Sequence, residues 1–98
     1  MIRVSPPIHP GEILREEYLN PLALAPYSLG RALGVPRTRI ERLVREETPV
    51  TSDTALRLAR YFRTTPEFWM NLQIAFDLTR EESRKRNEID AIAPRSAA

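Results

Sequence analysis

Cysteine is absent from the 98 residues, and glycine (three), histidine (one) and tryptophan (one) are scarce. Without a thiol there is no disulfide framework, no zinc–cysteine site and no cysteine nucleophile, and nothing argues for an oxidising compartment. A cytoplasmic protein is expected. Long apolar runs are missing too, as is a charged start followed by an apolar leader, so neither membrane spanning nor secretion is expected. The lone His9, beside Pro10 where a helix begins, has no second imidazole or thiol to complete a metal site of three or four ligands, and reads as a cap or a solvated side chain. The carboxylate pairs Glu16-Glu17, Glu46-Glu47 and Glu81-Glu82 are adjacent and splay apart on a helix rather than converging on one bond. With no nucleophile, no metal cluster and no phosphate-cradling glycine loop, neither an enzyme nor a cofactor or metal is expected.

Sustained apolar/polar alternation is also lacking, whereas helix start and stop signals recur throughout. The length and the 42% apolar content suit one small all-α unit with a modest core, too small for a large enclosed substrate pocket. Five helices are predicted. The first places Pro10 at N1 and Glu12 at N3, lets Ile8 staple onto Ile13, turns Ile13, Leu14, Tyr18 and Leu19 inward and Arg15, Glu16 and Glu17 outward, and ends before Pro21. The second runs from Pro26 to Leu33 and stops at Gly34. The third opens at Val35-Pro36, carries Ile40, Leu43 and Val44 as its stripe, and closes at Thr48-Pro49. The fourth, capped by Thr51, reaches about Arg63 with Ala55, Leu58, Ala59 and Phe62 on one side. The fifth, capped by Thr65-Pro66-Glu67, carries Phe68, Trp69, Leu72, Ala75 and Phe76 and loses its pattern after Leu78. Residues 1–78 form one expected unit and 79–98 a charged extension, partly helical at most and frayed at its end.

Charge is localised. Residues 26–45 hold five Arg and one Glu, a net +4 within a chain of net +2, and 14 of the 15 basic residues are Arg. Arg presents a planar fork suited to phosphate or guanine. The second and third helices, joined only through Leu33-Gly34-Val35, must cross steeply, as in a helix-turn-helix. On the third, Thr38, Glu41, Arg42 and Arg45 point away from the apolar stripe, with Arg37 and Arg39 flanking. Such a face fits the major groove: Arg37, Thr38 and Arg42 at base edges, Arg39 and Arg45 at phosphates. The alternative is a solvated face in which Arg37, Glu41 and Arg45 make i,i+4 pairs worth roughly 0.2–0.5 kcal/mol each. The aromatic cluster Phe68, Trp69, Leu72 and Phe76 reads either as core or as the surface on which two copies meet, since one unit reads only a half-site.

The run Leu29-Gly30-Arg31-Ala32-Leu33-Gly34-Val35-Pro36-Arg37-Thr38-Arg39-Ile40-Glu41-Arg42-Leu43 resembles the helix-turn-helix of phage-repressor-like, lambda-repressor-like DNA-binding domains. With His9-Pro10-Gly11-Glu12-Ile13-Leu14, Thr54-Ala55-Leu56-Arg57-Leu58-Ala59 and Pro66-Glu67-Phe68-Trp69-Met70-Asn71-Leu72-Gln73, it is similar to the HigA family of antitoxins over about residues 8–78. The resemblance implies a homodimer that binds a palindromic operator, represses its own operon and neutralises a HigB-type ribonuclease toxin. Three places depart from the family pattern. Gly30 stands where a small Ala is usual, Ala25-Pro26 where a Ser or Thr cap would touch a phosphate, and Glu46-Glu47-Thr48 where an Asn-Gly-Lys-like turn follows the recognition helix. Tyr27 or Ser28 is then expected to supply the phosphate contact. The rival readings are a free-standing phage-type repressor without a toxin and a helical adaptor whose Arg face meets an acidic protein.

Overall fold

The computed structural model describes residues 6–96; the outer edges of the two expected units, 1–5 and 97–98, lie outside the described residues. Among those described, the chain is all-α, with five helices and no strand. Helix α1 opens as an α-helical turn, Pro10–Ile13, and continues as a wider π-helical coil, Leu14–Leu19. It is followed by α2 (Pro26–Leu33), α3 (Arg37–Val44), α4 (Ser52–Phe62) and α5 (Pro66–Asp90). No helix among the described residues is long and apolar enough to cross a membrane.

Local chemistry explains most boundaries. His9 is the N-cap of α1, its Nδ1 accepting from the Gly11 N–H at 2.9 Å. Thr51 and Thr65 cap α4 and α5 through their hydroxyl oxygens, which accept from Thr54 N and Phe68 N at 3.3 and 3.1 Å. Gly34 ends α2 in the left-handed region at φ 72°, and Val35 N–H donates back to the Gly30 carbonyl at 2.9 Å. This six-to-one bond fixes the tight corner between α2 and α3.

Three stretches differ from expectation. The second half of α1 is not regular α-helix: Asn20 N–H donates five residues back to the Arg15 carbonyl at 3.0 Å. The wider turn brings Leu14 and Leu19 under one another, and both are buried. Helix α3 stops at Val44 rather than near Thr48, because Glu46 takes a left-handed conformation at φ 63° and Glu47 N–H closes the end onto the Arg42 carbonyl at 2.9 Å. Helix α5 does not fade after Leu78 but continues to Asp90, with one residue, Lys85, off helical geometry. Ion pairs of Glu81 with Arg84 and Lys85, both at 3.1 Å, support the coil where apolar packing is absent.

The core is one cluster with members from all five helices, α5 packing chiefly on α4 and on α1. Trp69 is its largest member, fully buried, and Leu14, Leu29, Ile40, Leu43 and Leu58 belong to the same cluster. Its indole N–H donates to Thr64 Oγ1 at 2.9 Å, and Tyr18 packs on the ring at 5.2 Å between centroids. Gln73, also buried, ties α5 to the α3–α4 loop by accepting from Val50 N–H at 2.8 Å.

Candidate nucleic-acid interface

The third helix is gripped on one side and open on the other. Ile40 and Leu43 are fully buried, whereas Arg37, Thr38, Arg39, Arg42 and Arg45 are all exposed. Glu41, expected to point outward, is half-buried. Helix α2 crosses close behind. A Cβ on Gly30 would stand 3.1 Å from the Val35 carbonyl oxygen and 3.2 Å from the Arg37 Cα, so a methyl would require this backbone to give by a few tenths of an ångström.

Two further supports were not legible in the sequence. Gly11, buried in the first turn of α1, lies against the end of α3: a methyl there would overlap the Leu43 carbonyl oxygen, and no flexible side chain could give way. Arg15, expected on the wet side, instead crosses to α3, where its guanidinium donates to the Val44 carbonyl and pairs with the Glu46 carboxylate at 3.3 Å. A cation at the last carbonyls of a helix also complements its dipole. The Glu46 carboxylate in this turn is therefore engaged by Arg15, although both Glu46 and Glu47 are exposed.

On the α4 side, Arg39 does not hang free. Its guanidinium pairs with Asp53 at 2.5 Å, and Asp53 also accepts from Arg57 Nε at 3.0 and 3.1 Å. Arg57 in turn donates to the Leu33 carbonyl, the last of α2, at 2.7 Å. The hydrogen bond from Arg39, and then that from Arg57, holds the Asp53 carboxyl below the usual carboxylate range. Among the described residues, Arg37, Arg42 and Arg45 have no ion-pair partner.

The start of α2 is the other stretch expected at a phosphate. Ala25 is its N-cap with no side-chain bond, and Tyr27 and Ser28 are exposed, Tyr27 lying under the Arg31 guanidinium at 5.8 Å. The aromatic set on α5 divides. Phe68 is exposed, Leu72 and Phe76 are half-buried, and Trp69 has no surface at all, so Trp69 is core and is withdrawn from the expected dimer face. Phe76 is occupied by His9, whose ring meets it edge-on at 4.8 Å, and by Arg80 at 5.0 Å. The apolar side chains that α5 does expose are Phe68, Ile74, Leu78 and Ile89.

No family model matches the chain. Individual proteins do. Virulence-associated protein I of Dichelobacter nodosus is 50% identical over 91 residues, covering 93% of this chain and 83% of that protein. The Pseudomonas aeruginosa antitoxin HigA, solved with the higBA promoter, is 43% identical with a TM-score of 0.86, covering 90% of this chain and 97% of that one. The antitoxin GraA in complex with its operator is 44% identical with a TM-score of 0.89, covering 100% of this chain and 99% of that one.

Proposed function

This chain belongs to the HigA family of antitoxins, and we propose that it is a homodimeric, sequence-specific DNA-binding repressor of its own operon that also neutralises a HigB-type ribonuclease toxin. The observation that carries the reading is the division of α3: one side is buried to the last atom at Ile40, and the other offers Arg37, Arg42 and Arg45, which have no ion-pair partner among the described residues. A rigid helix with unspent guanidinium groups matches the width and acceptor pattern of the major groove. Arg37, Thr38 and Arg42 read base edges, Arg45 grips a phosphate, and the uncapped start of α2 with Tyr27 and Ser28 holds a second phosphate.

Two copies set their α3 helices about one helical turn, roughly 34 Å, apart on a palindromic operator. They meet along α5, where Phe68, Ile74 and Leu78 supply exposed apolar area and Leu72 lies half-buried. Residues beyond Leu78 form a charged extension of that helix. The protein works by binding, not catalysis, and acts in the cytoplasm.

The test is binding of the full chain to duplex DNA across a salt series. Log affinity should fall by about 0.9 per neutralised phosphate for every decade of salt. A flat profile with any duplex would favour the acidic-partner adaptor. Co-expression with the product of the adjacent reading frame should yield a copurifying complex and relieve toxicity; DNA binding without such a partner would leave a free-standing repressor.

A further inference from the structure

Four cations lie on α3 and its C-cap, and among the described residues Arg39 is the one with an ion-pair partner. We propose that Asp53 is a positioning residue for DNA binding: it draws the Arg39 guanidinium sideways onto the start of α4 and keeps that one cation off the phosphates. The proposal rests on the DNA-binding reading above and refines it, since it alters how many phosphates the α3 face neutralises.

An isolated exposed ion pair would be a weak hold, because solvent screens it and two side chains must be ordered to make it. This carboxylate is ordered for another reason. Both its oxygens accept from Arg57 Nε, at 3.0 and 3.1 Å, and Arg57 is itself pinned by its bond to the Leu33 carbonyl at 2.7 Å. Asp53 is therefore fixed in orientation by the end of α2 before Arg39 arrives, and the Arg39 contact of 2.5 Å completes a chain from α2 through α4 to α3. The carboxylate also sits in the first turn of α4, where the helix dipole favours negative charge. A phosphate competing for Arg39 has to break this arrangement and approach a fixed carboxylate to do so. Arg37, Arg42 and Arg45 carry no such restraint. Because phosphate contacts raise affinity for every sequence alike, withholding one weakens binding to random DNA and leaves a larger share of the interaction to base edges.

The test uses the full chain, its Asp53→Asn and Arg39→Gln variants and the double variant, each checked for an unchanged thermal unfolding profile. Two duplexes serve as probes: a random sequence, and the sequence the wild-type chain selects from a randomised pool. Asp53→Asn should bind the random duplex roughly three- to tenfold more tightly at low salt, with a log–log salt slope steeper by about 0.9, one extra phosphate. Arg39→Gln alone should leave the wild-type slope unchanged, and added to Asp53→Asn it should restore that slope. A steeper slope that survives in the double variant would reduce Asp53 to a general repulsive charge and overturn the proposal. So would a shallower slope for Arg39→Gln alone, which would place Arg39 on a phosphate. Should Asp53→Asn fail to fold, the Arg39→Gln slope decides by itself. Wild-type chain that bound no duplex would sink the DNA-binding reading and this proposal together; wild-type binding with the wrong slopes sinks only the proposal.

Discussion

Helix α3 and the distal half of α5 are both rich in cations, yet they are opposite kinds of surface. On α3 every third or fourth residue is sunk in the core, so its backbone is held by Ile40 and Leu43 from within and by Gly11, Arg15 and Gly30 at its ends. Its arginines consequently stand exposed on a fixed backbone, three of them without an acidic partner among the described residues. Beyond Thr79 no residue of α5 is buried, and Arg84 and Lys85 fold back onto Glu81. There the helix is held by its own charges. The contrast teaches that cation density does not mark a nucleic-acid surface. What marks it is cations left unpaired on a helix whose opposite face is anchored.

The anchoring side of that comparison is broken most directly at Trp69. It is fully buried at the meeting of α1 and α5, and its indole N–H is bonded to Thr64. Trp69→Ala should cost about 3 kcal/mol or more of folding stability, read from denaturant unfolding. A loss seen only in dimer dissociation, with the protomer's unfolding unmoved, would return Trp69 to the interface and contradict its burial. On the functional side, Arg37→Ala or Arg42→Ala should cost roughly 1–3 kcal/mol on the selected operator and relax preference at one base pair, with unfolding unchanged. An equal loss on random DNA would reassign that arginine to a phosphate.

How much of this could be read in advance depended on the range of the interaction. The start and end of α2 were written in Pro26 and Gly34, the caps of α4 and α5 in Thr51 and Thr65, and the outward arginines in their spacing from Ile40, Leu43 and Val44. Each is a matter of one or two turns of chain. The end of α3 was not legible. A carboxylate residue at positive φ gives no local signal, and Glu46 is held there by Arg15, which lies 31 residues earlier. For the same reason Arg15 looked like a solvent residue and Arg39 like a free cation, since their partners are set by helix crossing and not by spacing. Gly11 gives no local signal of its packing role, because what requires a glycine there is the carbonyl of Leu43, 32 residues later in the chain. The continuation of α5 is a different case. The Glu81, Arg84 and Lys85 spacing was in plain view, and it was the loss of apolar periodicity that obscured it.

A smaller effect is expected where the two regions are joined. His9 caps α1 and lies against Phe76 of α5, with Glu46, Asp77, Arg80 and the Thr48 backbone around it. Burial outweighs the nearby acids and lowers its pKa below the ordinary value of about 6.5. The folded chain thus keeps His9 neutral where the unfolded chain already binds a proton. Its contribution is present in full above about pH 6.5 and is lost as pH falls from there through the lower folded value. Wild type should therefore lose more stability between about pH 7.5 and 5.5 than His9→Asn, which retains a capping oxygen. Parallel pH profiles for the two would mean that the cap, and not the proton, is all that His9 contributes.

The least effect is expected at Arg84, and its smallness is what makes it decisive. The residue is exposed, its ion pair with Glu81 spans 3.1 Å on the helix surface, and nothing in the core depends on it. Arg84→Ala should move the thermal midpoint by no more than about 2 °C, as expected for one exposed i,i+3 pair. It should also leave both operator affinity and the salt slope where they were, because a guanidinium already facing a carboxylate on its own helix releases no counterion from DNA. If Arg84→Ala weakened operator binding as Arg42→Ala does, the distal half of α5 would belong to the DNA surface. Pairing within the helix would then be no obstacle to phosphate contact, and the distinction drawn between the two helices would have to rest on position alone.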